Sequence, residues 1–212
     1  MSPVNAVSGE LKLTVKGART RLRIVTVAAG LMHANGVAGT TIEQVRDAAG
    51  VSSSQVYHYF ADKQALIKAV IAFQNDAVVG AQEPLFAHLD TLEGLRAWRD
   101  AIVELQRQRQ CRGGCPLGTL GGELAEVDAD ARAGLAEGFS RWAAAINRGY
   151  AAMYDRGDLV ADADPGRLAT ATLAALQGGL LLTQLNRDTE PLEAALDVIL
   201  DHVRSLQVPR GD

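Results

Sequence analysis

Apolar residues recur along this chain at spacings of three and four, punctuated by glycine, proline and capping residues; nowhere do they alternate over the length of a strand. Ile24, Val27, Ala28 and Leu31 stand at i, i+3, i+4 and i+7, which predicts a helix over about 18–35, ended by Gly36 and Gly39. Two short helices follow. Thr40 or Thr41 caps the first, with Glu43 or Gln44 as its capping-box partner, and Gly50 stops it. Ser52 caps the second, with Gln55 as partner; running to Phe60, it is about 13 Å long at ~1.5 Å per residue. Ile42, Val45, Val51, Val56 and Phe60 supply apolar contacts to the first stripe. A fourth helix from Asp62 to about Val79 carries Leu66, Val70 and Phe73 on one face and would join this three-helix head to the rest.

The remainder also reads as helix. Leu95, Trp98, Ile102 and Leu105 form one stripe, ending near Cys111, and Gly113, Gly114 and Pro116 break it. A short helix is expected from about Leu117 to Ala125. Leu135, Phe139, Trp142, Ile146, Tyr150 and Met153 predict a long helix ended by Gly157. Asp164 followed by Pro165 starts the next, and Leu192, Leu196, Ile199, Val203 and Leu206 line the last. The uncharged run from Leu168 to Leu185 approaches the length of a membrane span, but Thr170, Thr172, Gln177, Thr183 and Gln184 make it too polar; a helix buried within protein is expected, and no membrane partner.

Composition agrees with an all-α fold: 48% of the 212 residues are hydrophobic and only 5% aromatic. Charge adds a second feature. The net charge is −4, yet residues 1–70 hold eight basic and four acidic side chains, and all the lysines, while the remainder is strongly acidic. A basic head on an acidic body suits a protein that grips a polyanion at one end. The first residues are polar and lack an apolar run, so no secretory leader is expected, and two cysteines suggest no disulfide framework; a cytoplasmic location is expected.

The second short helix has an apolar side, Val56 and Phe60, and an opposite side carrying Ser54, Gln55 and His58, flanked by Ser53 and Tyr57. A helix of this size fits the DNA major groove, roughly 12 Å wide, and short polar tips suit base edges and phosphates. The run from Gly39 to Lys63, with AAGVSSSQVYHYFADK at its heart, resembles the helix-turn-helix of the TetR family of bacterial transcriptional regulators. The resemblance implies a three-helix helix-turn-helix head on a helical-bundle domain for ligand binding and dimerisation, and a homodimer on a palindromic double-stranded DNA operator. By matching positions, Thr40 or Thr41, Tyr57, His58 and Lys63 would hold phosphates, and Ser53, Ser54 and Gln55 would approach bases, with Gln55 able to pair bidentately with adenine. Arg46 and the cap Ser52 complete the expected DNA-binding set. Gln55, Tyr59 and Arg46 depart from the residues usual at their positions. The expected division is an N-terminal arm over 1–17, the head over 18–64 and the body over 65–212.

In the body, CRGGCPLGTLGGELA (Cys111 to Ala125) resembles a segment of the LmrA/YxaF-type branch of TetR regulators. It implies a pocket for a small apolar or aromatic effector, with Trp98, Ile102, Cys115, Leu117, Leu120, Phe139, Trp142, Ile146 and Gln177 as candidate lining, against the commoner alternative of ordinary core packing for each. Cys111 and Cys115 admit three readings: inert packing, redox or electrophile sensing with a thiolate favoured by Arg109 and Arg112, or a metal site with His88. Small residues at Ala171, Ala175, Gly178 and Gly179, with Leu196, Ile199 and Val203 on the last helix, form the expected dimer interface, against the alternative of packing within one chain.

The expected function is therefore a ligand-responsive transcriptional repressor, with no cofactor and no enzymatic activity. A nucleophilic Cys115 has no accompanying His and Asp pattern. An activator and an architectural DNA binder without an effector are the remaining alternatives.

Overall fold

The computed structural model describes residues 13–209. Among the described residues the chain forms ten helices: α1 (Val15–Asn35), α2 (Ile42–Ala49), α3 (Ser53–Tyr59), α4 (Lys63–Gly80), α5 (Glu83–Phe86), α6 (Leu92–Gln108), α7 (Pro116–Leu124), α8 (Ala129–Asp155), α9 (Pro165–Asn186) and α10 (Glu190–Ser205). The sole extended pairing among these residues is a bridge between Leu159 and Gln207. The fold is all-α, with the N-terminal helices in a helix-turn-helix arrangement on a larger bundle.

Local chemistry sets most boundaries. Thr41 and Ser52 each close a full capping box, with Gln44 and Gln55, and Gly50 ends α2 in the left-handed conformation that glycine adopts without cost. Asp62, Thr91, Asp128 and Asp164 cap α4, α6, α8 and α9 through their side-chain oxygens. Helix α1 begins three residues earlier than expected because Thr14 caps it, accepting from the Gly17 N–H at 3.1 Å. Residues 15–17 of the expected arm are thus helical, and the rest of that arm to residue 12 lies outside the described residues. The short α5, started by Pro84, had no apolar stripe to announce it.

Helix α1 packs on α2 and α4, and Ile24, Ala28, Val45, Val56 and Phe60 are buried between them. Helix α4 leads into the body and lies along α8. There Gly138 leaves no room for a Cβ beside the Asn75 side chain, and Asn75 Nδ2 donates to the Gly134 carbonyl at 3.0 Å. Helix α9 lies between α8 and α10. Pro165–Asn186 is long and apolar enough to cross a membrane by length and composition, but its buried side supports the bundle: Leu168, Leu173, Leu176 and Leu180 all belong to the core.

Candidate nucleic-acid interface

Helix α3 is anchored by one residue and displays the others. Val56 is fully buried and the capping Phe60 nearly so, while Ser53, Ser54, Gln55, Tyr57 and His58 are exposed, Tyr57 to 55%. This exposed set matches the face read from the sequence. Its hydrogen bonds are partly committed. Ser52 Oγ and Ser54 Oγ lie 2.9 Å apart, and Arg46 Nη1 donates to Ser53 Oγ at 3.3 Å. Arg46 also pairs with Asp47 at 2.6 Å, holding the Asp47 carboxyl below its usual range, so the neighbouring acid takes this guanidinium in the free protein.

Three expectations for this face change. The Thr40 side chain is fully buried and its hydroxyl donates to the Gly36 carbonyl at 2.8 Å, so Thr40 is structural and, of the two, only Thr41 is exposed where a phosphate could reach it. Gln55 Oε1 accepts from the Ser52 N–H at 2.9 Å. Bidentate pairing with adenine needs that oxygen, so within its cap Gln55 presents only N–H donors. Lys63 Nζ donates to the Val37 carbonyl at 2.7 Å, which fastens the α1–α2 turn and leaves two ammonium donors.

Helix α1 contributes residues the sequence reading left out of the site. The Arg21 guanidinium lies 5.3 Å from the centre of the Phe60 ring, at the end of α3. Lys16, Arg19 and Arg23 are exposed along the same helix, at i, i+3 and i+7. That spacing is visible in the sequence, where it registers only in the net charge of residues 1–70.

The body places the expected effector residues in one continuous core. Trp98, Ile102, Cys115, Leu117, Leu120, Trp142 and Ile146 are buried, and Phe139 and Gln177 half-buried. Trp98 Nε1 donates to Gln82 Oε1 at 2.9 Å, and the cavity it lines beside Tyr150 and Thr172 measures about 10 Å³, no more than one water needs. Among these expected effector residues, Trp142 Nε1 is buried without a partner. Phe139 stacks parallel to Trp142 at 6.5 Å. Both cysteines are free and buried. Burial pushes the Cys115 thiol up, against hydrogen bonds from Gly118, Leu117 and Gln177. This favours inert packing at Cys115 over the sensing reading, which needs a thiolate favoured by Arg109 and Arg112. No group of three or more His, Cys, Asp or Glu suited to a metal occurs among the described residues.

The expected dimer residues divide. Ala171 and Gly178 are exposed and Ala175 and Ile199 half-buried, but Gly179, Leu196 and Val203 face inward. A Cβ at Gly179 would lie 2.8 Å from Leu192 Cα, so this glycine serves α9–α10 packing within the chain. The most regular apolar stripe of α10 marked the core and not the outer surface.

Residues 24–70 match the family described as bacterial regulatory proteins, tetR family, and residues 91–199 match the tetracyclin repressor-like C-terminal domain. An HTH-type transcriptional regulator in the lacX 3' region of Lactococcus lactis subsp. lactis is 30% identical over 85% of this chain and 91% of its own length. The chain belongs to the TetR family. It is accordingly a DNA-binding transcriptional regulator. Transcriptional regulator AcuR of Cereibacter sphaeroides is 27% identical, over 79% of this chain and 78% of AcuR. The crystal structure of a regulatory protein TetR from Rhodobacter sphaeroides shares the fold, with a TM-score of 0.77 and 23% identity over 86% of this chain and 98% of its own.

Proposed function

We propose that this TetR-family member is a homodimeric repressor that leaves a palindromic operator when a small apolar or aromatic molecule enters its body. The carrying observation is the displayed face of α3: Ser53, Ser54, Tyr57 and His58 exposed on a helix pinned by Val56 and Phe60. In the proposed complex, Thr41, Tyr57, His58 and Lys63 hold phosphates, joined by Lys16 and Arg21 of α1. Ser53 and Ser54 approach bases, and Gln55 offers its amide donors. Half-sites are then centred about 34–36 Å apart, or a multiple of that, so that both heads meet the same side of the duplex.

Dimerisation falls to the exposed outer faces of α9 and α10. Ala171, Ala174, Gly178, Leu181, Leu182 and Leu185 form an exposed helical row, and Val198 is exposed on α10; Leu185 and Val198 are each 68% exposed. Large apolar side chains in a row suit a helix-pair interface with a second copy. The effector site is assigned to the region of Cys115, Leu117, Leu120, Trp142 and Gln177, where the unpartnered Trp142 nitrogen offers a donor to a polar group on an otherwise apolar molecule. The Cys115–Pro116–Leu117–Gly118 segment supports placement in the LmrA/YxaF-type branch. The head is taken to end near residue 64, where α4 begins the body.

Selection of bound duplexes from a random pool tests the reading, followed by screening of small molecules for release. A palindrome with the stated spacing and at least one releasing compound are expected. A protein that retains no duplex at low salt, or binds every duplex alike, refutes it.

A further inference from the structure

The turn between α1 and α2 is held from both sides by side chains of other elements. The Val37 N–H donates to Glu123 Oε2 at 2.7 Å, and the Val37 carbonyl accepts from Lys63 Nζ at 2.7 Å. Gly36, at φ +76°, brings the chain against the Glu123 carboxylate: a Cβ there would lie 3.0 Å from Oε2. Any other residue would be strained and would crowd the acceptor. Buried Thr40 ties the far side of the turn back to the Gly36 carbonyl, and Thr41 caps α2. Glu123 thus grips the peptide from which α2 and, through the Gly50 turn, α3 extend.

Glu123 belongs to α7, which packs on α4 and α8 and whose opposite end, with the loop before it, meets side chains of α9. A Cβ at Gly118 would lie 3.1 Å from Gln177 Oε1, and Gly114, at φ +56°, has no room for a Cβ beside the Gln184 side chain. Nine residues make α7 a rod of about 14 Å at ~1.5 Å per residue. Beside the grip, Val37, Lys63, Ile67, Glu123 and Leu124 border a cleft of about 330 Å³, so the two polar contacts on Val37 sit at the edge of the apolar packing. Helix α4 is the covalent route from head to body; α7 is a second, non-covalent one.

We propose that Glu123 is a positioning residue that passes a displacement of α7 relative to α9 to the α1–α2 turn, and so sets the orientation of α3. This rests on the regulatory function proposed above. A carboxylate suits the role. Its hydrogen bond to an N–H is charge-assisted, yet it weakens steeply once distance or angle departs from the favoured range. The link is therefore either made or broken.

The test compares the parent protein with Glu123→Ala and Glu123→Gln by amide hydrogen exchange, with and without a duplex selected from random DNA. Gln keeps an acceptor for the Val37 N–H; Ala does not. Without DNA, the Val37 amide should exchange about tenfold faster in the Ala variant and as in the parent in the Gln variant. Duplex binding should alter exchange across 116–125 in the parent and the Gln variant but not in the Ala variant, with α8–α10 equally protected in all three. By linkage, a body segment that no longer responds to operator cannot signal to it. An Ala variant that keeps the duplex-induced change in α7, or a Gln variant that exchanges at Val37 like the Ala variant, overturns the proposal. A parent that selects no duplex defeats the DNA-binding function instead. The Val37 exchange without DNA still decides the grip: unchanged rates in the Ala variant overturn it, and the tenfold rise upholds it.

Discussion

Gln55 and Ser52 satisfy one another at the start of α3: Gln55 Oε1 accepts from the Ser52 N–H at 2.9 Å, and Ser52 Oγ accepts from the Gln55 N–H at 3.2 Å. One side chain thereby holds the frame of the recognition helix and borders the surface expected to meet bases. Framing and bidentate base reading draw on the same oxygen, so the two roles compete.

Substitutions at this pair should separate stability from recognition. Ser52→Ala loses the cap and should lower stability by about 1 kcal/mol. Gln55→Glu keeps an acceptor for the Ser52 N–H, so melting should be nearly unchanged. It brings a negative charge to the phosphate ridges, so operator affinity should fall at least about tenfold, and more at low salt. Thermal melts and fluorescence anisotropy read the two effects. If Gln55→Glu binds operator as well as the parent, Gln55 does not lie near DNA.

The two outer helices give a second contrast. Leu185→Glu places charge in the exposed apolar row and should convert the proposed dimer to monomer, with little change in subunit folding. Leu196→Ala removes a side chain only 1% exposed and should cost about 2–5 kcal/mol while leaving association intact. Light scattering beside denaturant melts distinguishes the pair. A Leu185→Glu protein that stays dimeric would move the interface elsewhere.

These contrasts show how far the chain could be read in one dimension. Capping boxes, the Gly50 stop and the Val56/Phe60 anchor are local signals, so the head and its displayed face were readable. Leu196 and Val203 were misplaced because a regular apolar stripe says only that a face is covered, not whether the same chain or a second copy covers it. Thr40 and Thr41 were indistinguishable as caps until the Gly36 carbonyl came within reach of one hydroxyl. The Glu123–Val37 contact spans 86 residues and has no sequence periodicity to reveal it.

Cys115 should resist alkylation. Its side chain is 8% exposed, and burial raises its thiol above the usual range, so little thiolate is present at neutral pH. Iodoacetamide at pH 7 should label the native protein far more slowly than the denatured chain, as followed by intact mass. Native labelling at the denatured rate would restore the electrophile-sensing reading.

The last prediction concerns pH and the C-terminal turn of α1. His33 packs against Gly113 of the loop preceding α7, its Nδ1 is buried without a partner, and burial, aided by the Arg109 charge, holds its pKa below the ordinary 6.5. The folded state therefore binds a proton here less readily than the unfolded chain. Between the lowered folded value and 6.5 the unfolded chain carries more protons at this residue, so stability rises with pH. The contribution is fully present above 6.5 and is lost as pH falls through the folded value. His33→Gln, which keeps a polar side chain but does not titrate, should flatten this part of the profile when melting temperature is followed from about pH 5 to pH 7.5. Because the imidazole sits between the head and the loop leading into α7, the same change should leave the acid sensitivity of the α9–α10 pair untouched. Identical slopes in the parent and His33→Gln would show that the imidazole is solvated and that the α1–loop contact is looser than it is here.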